Sequence, residues 1–245
     1  MRTGKLVISG NRIWQNRHVR WTCGGGLVVL LAGAGYGLAT RTNMNWRHAV
    51  GDPIDELNGV AIYFNGGVHT TWGRNLSPEG YNQGIRYQCV EFVKRYYFER
   101  YRHRMPDAYG HAKDFFDSGL DDGAWNAKRG MVQYVNGGAM KPAEDDLVVF
   151  RPWVFNPYGH LAVVSRVCGN IVEVAQQNPG PFGRSRVEFP LAFQSGRWSI
   201  GHPRVLGWLR LPPQSGPDNG GLESSIRTQS QRGAFGNIDS GRLGE

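Results

Sequence analysis

The chain has 245 residues, 40% hydrophobic and 12% aromatic, enough apolar material to fill one core of ordinary domain size. Its formal charge of +8 points at first to a polyanionic partner, yet Arg2, Lys5, Arg12, Arg17 and Arg20 all precede residue 40, where no acid occurs. Without those five, 23 basic residues face 20 acidic ones, too even a balance to make a polyphosphate-binding field, so no nucleic-acid partner is expected.

Residues 1–41 read as a basic N-terminus followed by a hydrophobic signal or anchor segment. Trp21 through Thr40 carry no charge, and Leu27-Val28-Val29-Leu30-Leu31-Ala32 forms their apolar heart. Six glycines dilute this run, which suits a signal h-region at least as well as a span of about 20 residues. Ala32-Gly33-Ala34 offers small residues for cleavage, and a buried glycine-rich element is the plain alternative. Positive residues ahead of the segment place the rest of the chain across the membrane. The expectation is an exported protein, periplasmic, membrane-anchored or secreted, that can associate with a membrane through residues 21–40. Residues 42–57 read as a linker, in which Asp52, Asp55 and Glu56 lack the regular Asp-x-Asp alternation of a calcium loop and are expected to be solvated.

A helix is predicted over about 88–102. Val90, Phe92, Val93, Tyr96, Tyr97 and Tyr101 recur at three and four residues, with Glu91 and Arg95 spaced i,i+4 on the polar side. Cys89 falls in its first turn, where unpaired backbone amides and the positive end of the helix dipole favour a thiolate. Taken alone, Cys89 reads equally as a small core residue. Cys23, Cys89 and Cys168 form no CxxC pair, and neither zinc nor any other cofactor is expected.

The second half of the chain changes the weight of that cysteine. Leu147-Val148-Val149-Phe150, Leu161-Ala162-Val163-Val164 and Ile171-Val172-Glu173-Val174-Ala175 read as consecutive antiparallel strands, with Gly169-Asn170 as a hairpin turn and Cys168 at its edge. Val205 through Leu211 supplies another strand. A helix opening on cysteine, packed on a sheet that carries histidine on one strand and its partner on the next, is an α+β papain-like layout. The remaining histidines, His18, His48, His69, His103, His111 and His202, sit outside this arrangement or in turn-rich surroundings and read as non-catalytic.

On Gln88-Cys89-Val90-Glu91-Phe92, Asp146-Leu147-Val148-Val149-Phe150, Gly159-His160-Leu161-Ala162-Val163-Val164 and Gln177-Asn178, the chain resembles the CHAP (cysteine, histidine-dependent amidohydrolase/peptidase) domains of the NlpC/P60-like, papain-like group. Within them it resembles the amidase domain of glutathionylspermidine synthetase/amidases, through Gly59-Val60-Ala61-Ile62-Tyr63, Gly169-Asn170 and Leu206-Gly207-Trp208 besides. The resemblance covers residues 58–212. It implies a cysteine-dependent amide hydrolase with Cys89 as nucleophile and His160 as base. The family commonly carries Glu where Gln176 stands, so the third position departs from its pattern. Glutamine cannot neutralise an imidazolium, but its carbonyl can accept the ring N–H and fix the ring, and either Gln176 or Asn178 can serve. Strand alternation turns Glu173 away from any site that Gln176 faces. The oxyanion is expected at the Cys89 amide, with Gln88, Tyr81 or Tyr87 as second donor.

Residues 213–245 are rich in Gly, Ser, Gln and Asn and are expected to be a disordered tail. The functional expectation is hydrolysis of peptidoglycan peptide or amide bonds outside the cytoplasm, or of a small peptide-amide substrate. The alternatives are a glutathionylspermidine-type amidase and a catalytically weak binding module that keeps the fold.

Overall fold

The computed structural model describes residues 12–213, with side chains from residue 26 onward; the tail expected from residue 214 to 245 lies outside the described residues. The first element is the helix α1 (Arg12–Arg41), which contains the segment 21–40. Among the described residues, no helix is long and apolar enough to cross a membrane.

Two short hairpins come next, β1 (Pro53–Leu57) with β2 (Val60–Tyr63) and β3 (Arg74–Leu76) with β4 (Asn82–Ile85). The stretch expected to be a linker therefore contains a paired strand. Its turn is Asn58-Gly59, both residues at positive φ (51° and 83°), the backbone that a two-residue hairpin of this twist requires. Asp55 is not a solvated loop acid. It sits in β1 and pairs with Arg186 at 2.8 Å, tying this hairpin to the main sheet.

The helix α2 (Cys89–Tyr101) follows and ends where Arg102 turns left-handed at φ 53°. It packs on β4, on β2 and on the main sheet. Phe92, Val93, Tyr96 and Tyr97 are fully buried, and an aromatic or aliphatic side chain so placed contributes about 1.5–3 kcal/mol. Glu91 and Arg95, expected on a polar face, are buried too, because β2, β4 and the main sheet enclose the helix on several sides.

The remaining strands are β5 (Ala124–Asn126), β6 (Met131–Val135), β7 (Leu147–Phe150), β8 (His160–Cys168), β9 (Ile171–Gln176), β10 (Arg186–Gln194), β11 (Arg197–Ile200) and β12 (Val205–Arg210). They form one antiparallel sheet in the order β11-β10-β9-β8-β7-β12-β6-β5. The architecture is α+β with a cysteine-bearing helix on a large antiparallel sheet, the layout expected from the sequence. Val148, Ala162, Val164, Val172 and Val174 share one core cluster with Leu191, Ile200, Val205 and Trp208. The β8–β9 turn is Gly169-Asn170, with Gly169 at φ 55°. A first central residue at positive φ favours glycine, which explains why the order is Gly-Asn rather than Asn-Gly.

Candidate active site

Three chain segments carry the candidate residues, and of these Cys89 lines the cleft. Cys89 opens α2, His160 opens β8, and Gln176 closes β9. All three side chains are buried. The sulfur of Cys89 receives the backbone amides of Leu161, Val90 and Cys89 itself. Leu161 directly follows His160, so the thiol lies under the start of β8. These amides favour the thiolate, as first-turn helix geometry should. Burial opposes them and wins, pushing the thiol up to about 11.

His160 and Gln176 meet because of sheet register. Ala162 pairs with Gln176 across β8 and β9, so His160 and Gln176 are diagonal neighbours on one face. His160 Nε2 lies 2.8 Å from Gln176 Oε1, while Gln176 Nε2 donates to the Arg184 carbonyl at 2.9 Å. The second contact fixes the amide's orientation, since the reverse would set two oxygens face to face. Nε2 therefore carries the ring proton and Nδ1 is left as the acceptor. Burial lowers His160 to about 4; the Gln176 bond works against the shift and Arg204 adds to it. With the thiol raised and the imidazole lowered, the resting pair is neutral on both sides.

Asn178 does not orient the histidine. At φ 57° its backbone turns left-handed just past β9, and its side-chain amide donates to the Val68 carbonyl (2.9 Å) and to Gln88 Oε1 (2.7 Å). Gln88 lies beside the thiol, yet its amide N–H groups go to the carbonyls of Thr70 (2.6 Å) and Val68 (3.3 Å), so it offers no free donor to an oxyanion. Tyr81 and Tyr87 are also not brought to the sulfur. The Tyr81 hydroxyl accepts the Met105 amide at 3.0 Å beyond the far end of α2. Tyr87, at φ 66°, packs its ring on Tyr63 with its hydroxyl against Gly51. The Cys89 amide lies at the sulfur, to which it donates. Glu173 faces away and is held by Ser165 (2.8 Å), Arg166 and Arg186.

A buried polar knot holds the cysteine turn in place. Gln177 accepts the Tyr63 amide at 2.8 Å and donates to the Gln88 carbonyl (3.0 Å) and to Glu91 Oε2 (2.8 Å). Glu91 Oε1 in turn takes Arg95 at 2.6 Å and Asn75 at 2.8 Å. Cys89 lines a cleft of about 750 Å³ together with Arg41, Val68, Arg74, Tyr109 and Asn178. His69 and His111, read from sequence as bystanders, also line it, both with their rings against Tyr158. Their place there depends on loops far apart in sequence, which no local pattern signals. Among the described residues, no group of three or more His, Cys, Asp or Glu is placed to hold a metal ion.

Comparison with known proteins bears on the same residues. A family model described as "CHAP domain" matches residues 79–178. The chain is 28% identical over 131 residues to "Trypanothione synthetase" of Crithidia fasciculata, covering 51% of this chain and 20% of that protein. It is 28% identical over 169 residues to "Glutathionylspermidine synthase" of the same organism (59% and 21%). It is 27% identical over 137 residues to "Bifunctional glutathionylspermidine synthetase/amidase" of Escherichia coli strain K12 (51% and 22%). The chain thus spans about a fifth of the length of these curated relatives. Among solved structures, "The crystal structure of Ly7917" aligns at 14% identity and a TM-score of 0.30, covering 51% of this chain and 53% of that one.

Proposed function

On the premise that this chain carries a CHAP domain over residues 79–178, we propose that it is a cysteine-dependent amide hydrolase acting outside the cytoplasm on peptidoglycan peptide or amide bonds. One observation carries the reaction. The Cys89 sulfur sits under the amide of Leu161, and the adjacent His160 has Nε2 tied to Gln176, leaving Nδ1 free to take the thiol proton. The thiolate attacks the amide carbon, and the Cys89 amide receives the oxyanion. The imidazolium returns its proton to the leaving amine, and water then hydrolyses the thioester. Gln176 keeps the ring in one tautomer and its hydrogen bond favours the imidazolium, but it brings no charge, so the opposing charge comes from the thiolate partner.

Support for an extracytoplasmic substrate comes from the chain's first 40 residues, which hold five basic and no acidic residues and include the uncharged run 21–40. Hydrolysis of a glutathione–polyamine amide is the second reading. It is favoured by the printed names of the curated relatives, which refer to glutathionylspermidine and trypanothione chemistry. The two separate on purified protein offered both substrates, with Cys89→Ala and His160→Ala as controls. Cysteine-dependent release from peptidoglycan alone supports the first reading, and release from glutathionylspermidine alone supports the second. A folded protein that binds either but cuts neither would leave a binding module.

A further inference from the structure

The cleft that holds Cys89 carries positive charge and no carboxylate. Arg41 and Arg74 line it, and no Asp or Glu does. Among the described residues, neither guanidinium pairs with an acid. Arg74 lies over the Tyr109 ring at 5.4 Å and makes a long contact of 3.4 Å to Asn82 Oδ1. Two acids of the adjoining segment, Asp107 and Asp114, are absent from the cleft lining. Asp107 and Asp114 accept the backbone amides of Tyr109 (3.0 Å) and His111 (2.7 Å), and both line a separate, smaller cavity of about 420 Å³.

Arg41 is the last residue of α1, outside the segment that the CHAP family model matches. It is clamped to the cleft wall by its own backbone. The Thr40 carbonyl accepts the His69 amide at 2.8 Å, and the Arg41 carbonyl accepts Thr70 Oγ1 at 3.1 Å. Gly67 permits this approach, for a Cβ there would lie 2.6 Å from the Thr40 oxygen. The same loop supplies the Val68 and Thr70 carbonyls that hold Gln88 and Asn178 beside the thiol. Asn178 lines the cleft as well, and its Oδ1 is buried with no hydrogen-bond partner among the described residues, an acceptor suited to a peptide N–H.

We infer that Arg41 and Arg74 recognise a free carboxylate on the amide substrate, so that the cleft selects an anionic peptide over a neutral or cationic one. Guanidinium is the side chain best matched to a carboxylate, through two parallel N–H donors. The inference deepens the hydrolase reading and rests on Cys89 as the reacting group in this cleft. It narrows the substrate to peptides with an acidic residue beside the scissile bond, and it sets the cleft against a polyamine, whose ammonium groups both arginines repel.

The test uses Cys89 itself as reporter, in the full chain. Rates of alkylation by iodoacetate, which is anionic, and by neutral iodoacetamide are read by peptide mass spectrometry at Cys89 and at the exposed free Cys168 as internal reference. We expect the iodoacetate-to-iodoacetamide ratio at Cys89 to exceed that at Cys168 by about three- to tenfold at low salt, and to fall towards it in 0.5 M salt. In the Arg41→Ala/Arg74→Ala variant the excess should vanish, and Arg41→Lys/Arg74→Lys should restore part of it. Equal ratios at the two cysteines, an excess that survives the double alanine variant, or a Cys89 that neither reagent reaches would each overturn the inference. Hydrolysis of peptidoglycan fragments is followed on the same proteins. An anion preference without hydrolysis would sink the hydrolase reading and leave this one standing, whereas hydrolysis with equal ratios would sink this one alone.

Discussion

At position 176 a neutral amide holds the histidine, and burial rather than a charged partner sets how the pair responds to pH. Burial lowers His160 to about 4 and raises Cys89 to about 11, so the neutral thiol–imidazole pair persists between those values. The sign follows from each proton. Below about 4 the imidazole is already protonated and cannot act as base. Above about 11 the thiol has already lost its proton, and no imidazolium forms for the leaving amine. We expect kcat/KM to be level across the intervening range and to fall at both ends. In Gln176→Glu a carboxylate would face Nε2 and favour the imidazolium, moving the acid limb to higher pH. The same change sets a carboxylate oxygen against the Arg184 carbonyl, so the gain at pH 7 should be about tenfold, short of the ~10⁴ that a triad carboxylate contributes. A pH–rate profile unmoved by Gln176→Glu would show that Gln176 does not act on His160. Asn178→Ala should leave this profile in place, because Asn178 holds Val68 and Gln88 rather than the ring. The placing of Cys89 at a helix start and of His160 beside a strand was legible in the sequence, because the apolar runs that follow them show a helical and a strand pattern. The choice between Gln176 and Asn178 was not, because the left-handed turn of Asn178 is a backbone event that the run Gln176-Gln177-Asn178 does not display.

Elements are held in register by groups that the helical pattern alone misplaced. Glu91 and Arg95 occur at i,i+4, which on a solvated helix signals a surface pair, yet here they are 2% and 7% exposed. Removing one member of such a pair strands a buried charge, so Arg95→Ala should lower unfolding free energy by about 3–5 kcal/mol in denaturant titration. Gln177→Ala, which leaves the Tyr63 amide and Glu91 short of a partner, should cost about 1–3 kcal/mol. If both variants melt with the parent, the knot contributes nothing to the cysteine turn. At the head of β8, Gly159 adopts φ 79°, and a Cβ there would lie 2.7 Å from the Phe150 carbonyl. Gly159→Ala should therefore displace His160 and cut kcat by more than about tenfold, since small misplacements of a catalytic group are costly. Its circular dichroism should stay close to that of the parent. The strands β7, β8, β9 and β12 were legible as apolar runs. By contrast, β10 opens on the alternating run Arg186-Val187-Glu188-Phe189 but meets Pro190, which argues against a continuous strand, and β1 is short and acidic with no clear period of two.

Over the whole molecule, the sheet carries His160 and Gln176, and the end of α1 bonds to the loop 67–70. The proposed export rests on the chain's first 40 residues, and α1 ends on a residue that lines the cleft. A C-terminal reporter active only outside the cytoplasm should therefore be active on the full chain and silent when residues 1–41 are removed. A reporter active only in the cytoplasm would contradict the extracytoplasmic reading and favour the glutathione–polyamine substrate. The docking of α1 on the loop 67–70 was not readable from hydropathy, which records how apolar a segment is but not which loop its last turn will touch.

The central claim is that Cys89 hydrolyses an amide, and it is tested most directly by incubating the purified chain and its Cys89→Ala variant with peptidoglycan and glutathionylspermidine in parallel and identifying released fragments by mass spectrometry. We expect new amine and carboxylate ends from peptidoglycan with the parent chain and none with Cys89→Ala, both proteins being equally folded. Equal release by the two proteins, or no release from either substrate by a well-folded parent, would contradict the claim.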